Sequence, residues 1–179
     1  MTDSTRPSPR FLAGPGGRLM TVTWRPEIAV AQPPGLLLVA PFAEEMNKSR
    51  RMLALMARAA ARRGYTVMLP DLLGTGDSEG NFADAKWDDW VADVRFCVRQ
   101  LITVGVRSVT LLGLRVGALL ALEAAREPLP GLHHVMLWQP VIDGRRFLDQ
   151  WLRLKVAARL GAEGDRVSTS ELRAQLAQA

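Results

Sequence analysis

The sequence predicts an α/β fold, a mainly parallel sheet with helices on both faces. Three observations predict it. Short apolar runs are continuous rather than alternating, as in strands covered on both sides. Segments of helical period separate those runs in strict alternation, the pattern of a parallel sheet with crossover helices. A glycine-framed turn, Gly113 to Gly117, joins one apolar run directly to a small-residue helix.

The elements follow in chain order. Residues 1–10 are polar, carry Pro7 and Pro9, and are expected to be disordered. They lack the apolar core of a signal peptide. Phe11 to Trp24 predicts an antiparallel hairpin turning at Gly16-Gly17. Leu36–Val39, Tyr65–Leu69, Ser108–Leu112 and Val135–Trp138 predict four strands, each bounded by turn formers such as Pro34-Gly35, Pro70-Asp71, Gly113 and Gln139-Pro140. Asn47 or Ser49 is expected to cap a first helix that runs to about Arg63 and stops at Gly64. A second is expected from about Asp84 to Thr103, with Trp87, Trp90, Val91, Val94, Val98 and Leu101 on one face. A third begins at the Gly113–Gly117 turn and ends before Pro128.

After Pro140 the pattern changes. Phe147, Trp151, Leu154 and Ala158 form an apolar stripe among Arg145, Arg146, Arg153 and Arg159, and Ser168 with Glu171 suggests a capping box. The sequence therefore divides into a disordered start (1–10), an α/β core (11–142) and a helical, lid-like segment (143–179). At least one further strand–helix unit expected of the fold is missing, so it reads as truncated at the lid and C-terminal strands. The apolar stripe needs cover from a second copy or a protein partner across Phe147, Trp151 and Leu154.

Composition narrows the function classes. The chain has 179 residues, is 48% apolar and carries a net charge of +5, nearly all from arginine. That fits one globular domain with an ordinary basic surface. No basic run is interleaved with aromatics, so nucleic acid is not expected. The most apolar stretch, Val109 to Leu122, is interrupted by Arg115 and is shorter than the roughly 20 residues a membrane span needs. Cys97 is the only cysteine, which excludes an intrachain disulfide and suits a reducing, cytoplasmic setting.

Ligands of an open parallel sheet bind beyond the carboxyl ends of its strands. Four loops meet that edge: Ala40–Asn47, Asp71–Asn81, Gly113–Gly117 and Gln139–Arg145. The third, Gly113-Leu114-Arg115-Val116-Gly117 between a strand and a helix, matches the nucleophile elbow of α/β-hydrolase-like folds. Its centre is arginine, which stays protonated and cannot attack a carbonyl. Two readings remain open for Arg115. With the Val116 N–H and the helix N-terminus it holds an anion, or it pairs with a carboxylate among Glu44, Glu45 and Asp71. Phe42, Glu44, Glu45 and Asp71 complete the expected ligand-binding set.

Other nucleophiles and bases are weak. Ser78, in a Gly-rich loop at the correct edge, is a catalytic candidate or a loop-closing residue together with Asp77. Asp143 follows the fourth strand as a candidate triad acid or a partner of Arg145 or Arg146. His133 and His134, the only histidines, precede that strand at the opposite edge of the sheet. A strand of five or six residues spans roughly 17–20 Å, so neither reaches the elbow. Glu44, Glu45, Asp71 and Asp77 share an edge without metal-site spacing, and no metal or cofactor is expected.

Several of these loops also carry a resemblance. Pro41-Phe42-Ala43-Glu44-Glu45-Met46-Asn47-Lys48-Ser49-Arg50-Arg51-Met52, Asp71 to Gly80, Gly113 to Leu120, Leu137 to Val141 and Phe147 to Leu154 resemble the exosortase A system-associated hydrolase 2 family. That group of α/β-hydrolase-like proteins accompanies bacterial exopolysaccharide and PEP-CTERM protein-sorting systems. The resemblance covers roughly residues 36 to 160. It implies a hydrolase by family name, acting on an ester or acyl group of a glycan or lipid. It also implies that arginine at the elbow belongs to the usual pattern. The chemistry of the residues instead favours a catalytically silent protein that binds an anionic or acyl ligand.

Overall fold

A computed structural model describes residues 6–27, 29–145, 147–149 and 152–153. Six strands form one sheet in the order β1-β2-β4-β3-β5-β6. They are β1 Ser8–Ala13, β2 Arg18–Trp24, β3 Gly35–Val39, β4 Thr66–Pro70, β5 Val109–Leu114 and β6 Leu132–Trp138. The hairpin β1–β2 is antiparallel and β2 runs antiparallel to β4, while β4, β3, β5 and β6 are parallel. Three helices connect them: α1 Ala43–Ala61, α2 Trp87–Thr103 and α3 Val116–Ala124.

Strand alternation sorts the core onto two faces. Leu36 and Leu38 of β3 face α1, where they pack with Trp24, Leu53, Ala57 and Leu112. Leu37 and Val39 face the other way, toward Val94, Val98 and Leu101 of α2 and Leu120 of α3. Both sides of β3 are thus fully covered, which is why its sequence is an unbroken apolar run. The chain passes from β3 to β4 through α1, then crosses back over the opposite face through α2 to β5. The direction reverses between β3 and β5. The carboxyl ends of these two strands form the crevice where open α/β sheets bind ligands.

The structure corrects several boundaries. Ser8 to Arg10 belong to β1, so the expected disorder does not hold for those residues. Pairing with β2 across Ser8↔Thr23 to Arg10↔Thr21 satisfies their backbone groups. Helix α1 starts at Ala43, not after Asn47 or Ser49, and its N-cap is Phe42 with no side-chain cap hydrogen bond. Ser49 lies inside the helix and donates to the Met46 carbonyl (3.1 Å). Helix formers and two first-turn carboxylates at Ala43–Met46 support the earlier start. Helix α2 starts at Trp87 rather than Asp84, because the Asp89 carboxylate accepts the Lys86 N–H at 2.9 Å. Asp84 instead accepts from the Asn81 amide at 3.1 Å. His133 and His134 lie within β6, not before it.

Residues up to Pro140 form one compact unit and Val141–Ala179 a second. In the second unit, the Phe147 N–H donates to the Asp143 carbonyl (3.1 Å) and Phe147 is half-buried. Trp151, Leu154, Ala158, Arg146, Arg159, Ser168 and Glu171 lie outside the described residues. Among the described residues, no helix is long and apolar enough to cross a membrane.

Candidate functional site

The elbow is built as its glycines require. Arg115 sits at φ 57, ψ −120 between β5 and α3, a conformation L-residues avoid. A Cβ on Gly113 would run into the Ala118 backbone, and one on Gly117 into the carbonyl of Val39. Only bare glycine backbone lets α3 approach β5 and β3 this closely. The sequence pattern thus marks a real strand-to-helix elbow, with arginine held in the nucleophile's place.

The strain has company. Among the described residues, the non-glycine residues with positive φ are Ala43 (54°), Arg115 (57°) and Gln139 (42°). They stand just past the carboxyl ends of β3, β5 and β6. Backbone strain held in place by surrounding structure clusters at functional sites, and among the described residues it falls here only past the carboxyl ends of parallel strands.

The Arg115 side chain, one third exposed, reaches Glu45 on α1, with Nε 3.3 Å from Oε1. Its Nη1 donates to the Gln139 carbonyl, also at 3.3 Å. Among the described residues, the second oxygen of Glu45 is enclosed without a hydrogen-bond partner. Both contacts are long and half-solvated, so the pair is worth only about 0–1 kcal/mol. Two contacts leave most of the five guanidinium donors uncommitted among the described residues. The N–H groups of Val116 and Gly117 have no intrahelical acceptor, because they open α3. A guanidinium beside the positive end of a helix is chemistry for holding an anion, not for nucleophilic attack.

The other expected residues fall on both sides of that description. Phe42 ends the β3–α1 loop and packs on Trp90, ring centroids 5.0 Å apart. Glu44 is exposed on the first turn of α1. Asp71 is buried and committed to structure. Its Oδ1 accepts from Arg50 at 2.7 Å and its Oδ2 from the Asp77 N–H at 3.0 Å. Asp71 is therefore held by Arg50 and Glu45 by Arg115, and among the described residues the acids of this edge form no cluster able to hold a metal ion.

Ser78 closes the loop. Its hydroxyl donates to the Asp71 carbonyl (2.6 Å) and accepts the Met20 N–H (2.8 Å). Asp77 contributes its backbone N–H to that closure and not, as expected, its side chain. Beside Ser78, Glu79 accepts the Arg18 N–H at 2.8 Å. That hydrogen bond, helped by the Arg18 guanidinium, holds the Glu79 carboxyl below its ordinary range. The Asp143 carboxylate accepts the Arg145 backbone N–H at 3.0 Å, and Arg146, the other expected partner, lies outside the described residues. His134 pairs in register with Thr110 at the start of β5, whereas Leu114, next to the elbow, pairs with Trp138. The four residues from His134 to Trp138 span roughly 13 Å of strand, which keeps the imidazoles away from Arg115.

Sequence reasoning missed three supporting residues. Arg50 holds Asp71. Asp93 on α2 is buried (1% exposed) and accepts the Leu73 N–H at 2.8 Å. Trp90 donates its indole N–H to the Leu73 carbonyl, also at 2.8 Å. Leu73 is thereby clamped at both backbone groups, and with it the loop after β4. Burial pushes the Asp93 pKa up to about 6 against the lowering effect of the Leu73 hydrogen bond, and Asp89 adds a smaller push. The only signal in sequence was an acid interrupting the apolar face of α2. Cys97, also on that face, is fully buried, which pushes its thiol pKa up and leaves it unreactive.

The family model described as X-Pro dipeptidyl-peptidase (S15 family) matches residues 15–160. Among curated proteins, none matches the sequence. Solved structures similar to the chain include a protein designated a hydrolase from Agrobacterium vitis, at 20% identity and TM-score 0.61, covering 89% of this chain and 62% of that one. An α/β serine hydrolase without lid from Xanthomonas campestris shares 22% identity at TM-score 0.59, covering 84% and 79%. Epoxide hydrolase A from Mycobacterium thermoresistibile shares 24% identity at TM-score 0.56, covering 74% and 39%. These likenesses establish the α/β-hydrolase fold. The chain spans less than two thirds of the length of the first and third of these structures.

Proposed function

The chain belongs to the X-Pro dipeptidyl-peptidase (S15) family, and from that premise we propose that its elbow binds an anionic or acyl ligand and performs no serine-hydrolase chemistry. One observation carries the reading: the elbow keeps its strained geometry with Arg115 at the nucleophile position. A fixed cation there, next to the first N–H groups of α3, stabilises a carboxylate or phosphate. It also blocks the position from which a hydroxyl would attack. Ser78 offers no substitute, because its proton is engaged by the Asp71 carbonyl. A role in a bacterial exosortase and exopolysaccharide system follows from the motif resemblance at residues 41–52 and 137–154, and it would make the ligand a glycan- or lipid-linked group.

Calorimetry with acetate and with inorganic phosphate tests the reading, alongside assay of short p-nitrophenyl esters. The expected result is anion binding that Arg115→Ala abolishes, with ester turnover at background. Anion binding unchanged in Arg115→Ala, or turnover lost in Ser78→Ala, would overturn it.

A further inference from the structure

We propose that the outward face of α1 docks on a bilayer of anionic lipid, with Lys48, Arg51, Arg58 and Arg62 on the headgroups and Leu55 entering between them. Helix α1 buries Leu53, Ala57 and Ala61 against the sheet. At about 100° per residue, its opposite side carries Lys48, Arg51, Leu55, Arg58 and the C-cap Arg62. Lys48, Arg51, Leu55 and Arg62 are exposed and Arg58 is half-buried. Successive steps of three or four residues place them in one row along the helix, roughly 21 Å long at about 1.5 Å per residue. Among the described residues up to Pro140, α1 is the only helix on its face of the sheet, because α2 and α3 pack on the other.

The row is not neutralised from within. Among the described residues, none of its four cations belongs to an ion pair, whereas Arg50 of the same helix is held by Asp71. No Asp or Glu occurs in the sequence from Met46 to Pro70. The acids of α1 are Glu44, exposed in the first turn, and Glu45, held by Arg115. The helix dipole favours cations only near the last turn. That accounts for Arg58 and Arg62 and leaves Lys48 and Arg51 without a structural use. Unpaired cations gathered on one face suit an extended anionic partner.

Leu55 selects the kind of partner. It is 52% exposed in the middle of the row, between Arg51 one turn before it and Arg58 one turn after. A lone exposed leucine is ordinary. Here Met52 and Ala59, its neighbours three positions before and four after, are only half-buried, so an apolar strip borders the cations. A linear polyanion would meet the cations and leave that strip in water, and α1 carries no aromatic side chain on which bases could stack. An anionic bilayer takes both features. Its headgroups meet the cations, and the acyl boundary beneath them takes the leucine. The aliphatic stems of lysine and arginine keep their charges at headgroup level while Leu55 enters.

Co-sedimentation of the whole chain tests this, with vesicles of phosphatidylcholine alone and of phosphatidylcholine and phosphatidylglycerol in equal parts. The chain is expected to bind the anionic vesicles, to leave them at high salt, and to ignore phosphatidylcholine. Each cation at such a surface is worth roughly fivefold in partitioning. Lys48→Gln combined with Arg51→Gln should therefore weaken binding by roughly 25-fold. Arg99→Gln combined with Arg107→Gln removes equal charge from exposed positions outside α1 and should weaken it by less than about threefold. Leu55→Gln should weaken vesicle binding by roughly three- to tenfold and leave binding of duplex DNA, followed by fluorescence anisotropy, unchanged. Equal losses in the two double variants overturn the α1 surface, because net charge alone would then account for the attraction. Vesicle binding indifferent to Leu55→Gln, or duplex DNA bound more tightly than the anionic vesicles, overturns the choice of lipid. Absence of vesicle binding overturns the proposal outright, and self-association that needs Lys48 and Arg51 in light scattering would then assign the face to a second copy.

Discussion

Replacing Asp93 by asparagine should make this protein more stable, and increasingly so as pH rises. Asp93 is enclosed on α2 with the Leu73 N–H as its hydrogen-bond donor, and its pKa moves from 3.8 to about 6, chiefly through burial. Over that interval the native state holds more protons than the unfolded chain. Stability from the protonated carboxyl is therefore complete below the unfolded value and is lost as pH rises through about 6. At about 1.36 kcal/mol per pH unit, ionising the buried group costs roughly 2–3 kcal/mol. Asparagine keeps an acceptor for Leu73 and never ionises. Urea unfolding followed by far-UV circular dichroism gives the difference between Asp93→Asn and the parent at each pH, and other titrating groups cancel in that difference. It should be near zero at about pH 4 and approach 2–3 kcal/mol in favour of the variant at about pH 7.5. A difference that stays flat or shrinks with rising pH would refute both the assignment of the shift to burial and the sign derived from it.

Three further substitutions probe the frame and the site. Gly117→Ala drives a methyl group into the Val39 carbonyl of a central strand, which cannot move aside, and should cost about 1–3 kcal/mol or more by urea unfolding. Arg95 donates from α2 to the carbonyls of Ala124, Glu127 and Pro128, with bonds of 2.7, 3.3 and 3.1 Å at the C-terminal end of α3. Arg95→Ala should lower stability by roughly 1.5–3 kcal/mol, the worth of charge-assisted hydrogen bonds, and a loss below 0.5 kcal/mol in the same assay would contradict that role. Glu45→Gln frees Arg115 from its carboxylate partner and should tighten acetate binding by about three- to tenfold in calorimetry; weaker binding would mean that Glu45 orients the guanidinium rather than competing for it.

What was legible in the sequence was whatever depends on local pattern. Leu36–Val39 lies within the observed β3, and Ser108–Leu112 overlaps β5 from Val109 on, although β5 runs to Leu114, because burial on both faces leaves an unbroken apolar run. The elbow was legible because two glycines must sit where α3 meets β5 and β3. Illegible features have partners far along the chain. Asp93 meets Leu73 twenty positions away, and Arg50 meets Asp71 twenty-one away, so neither pair leaves a spacing to read. The sequence offered three partners for Arg115, and only the tertiary approach of α1 to the elbow selects Glu45. The start of α1 was missed for a local reason: Phe42 caps it without a polar side chain, so the usual capping signal is absent.

The conformation of residue 115 has one more consequence. Glycine adopts it freely, and any other residue there costs about 1–3 kcal/mol. Folding alone would therefore choose glycine at the tip of the elbow, and Arg115→Gly should raise the unfolding free energy even as it removes the guanidinium. A position where the most stable sequence and the charged sequence differ is a place where stability is traded against use. By that criterion, the long cation at the head of α3 is held against the preference of its own backbone, as a working residue is.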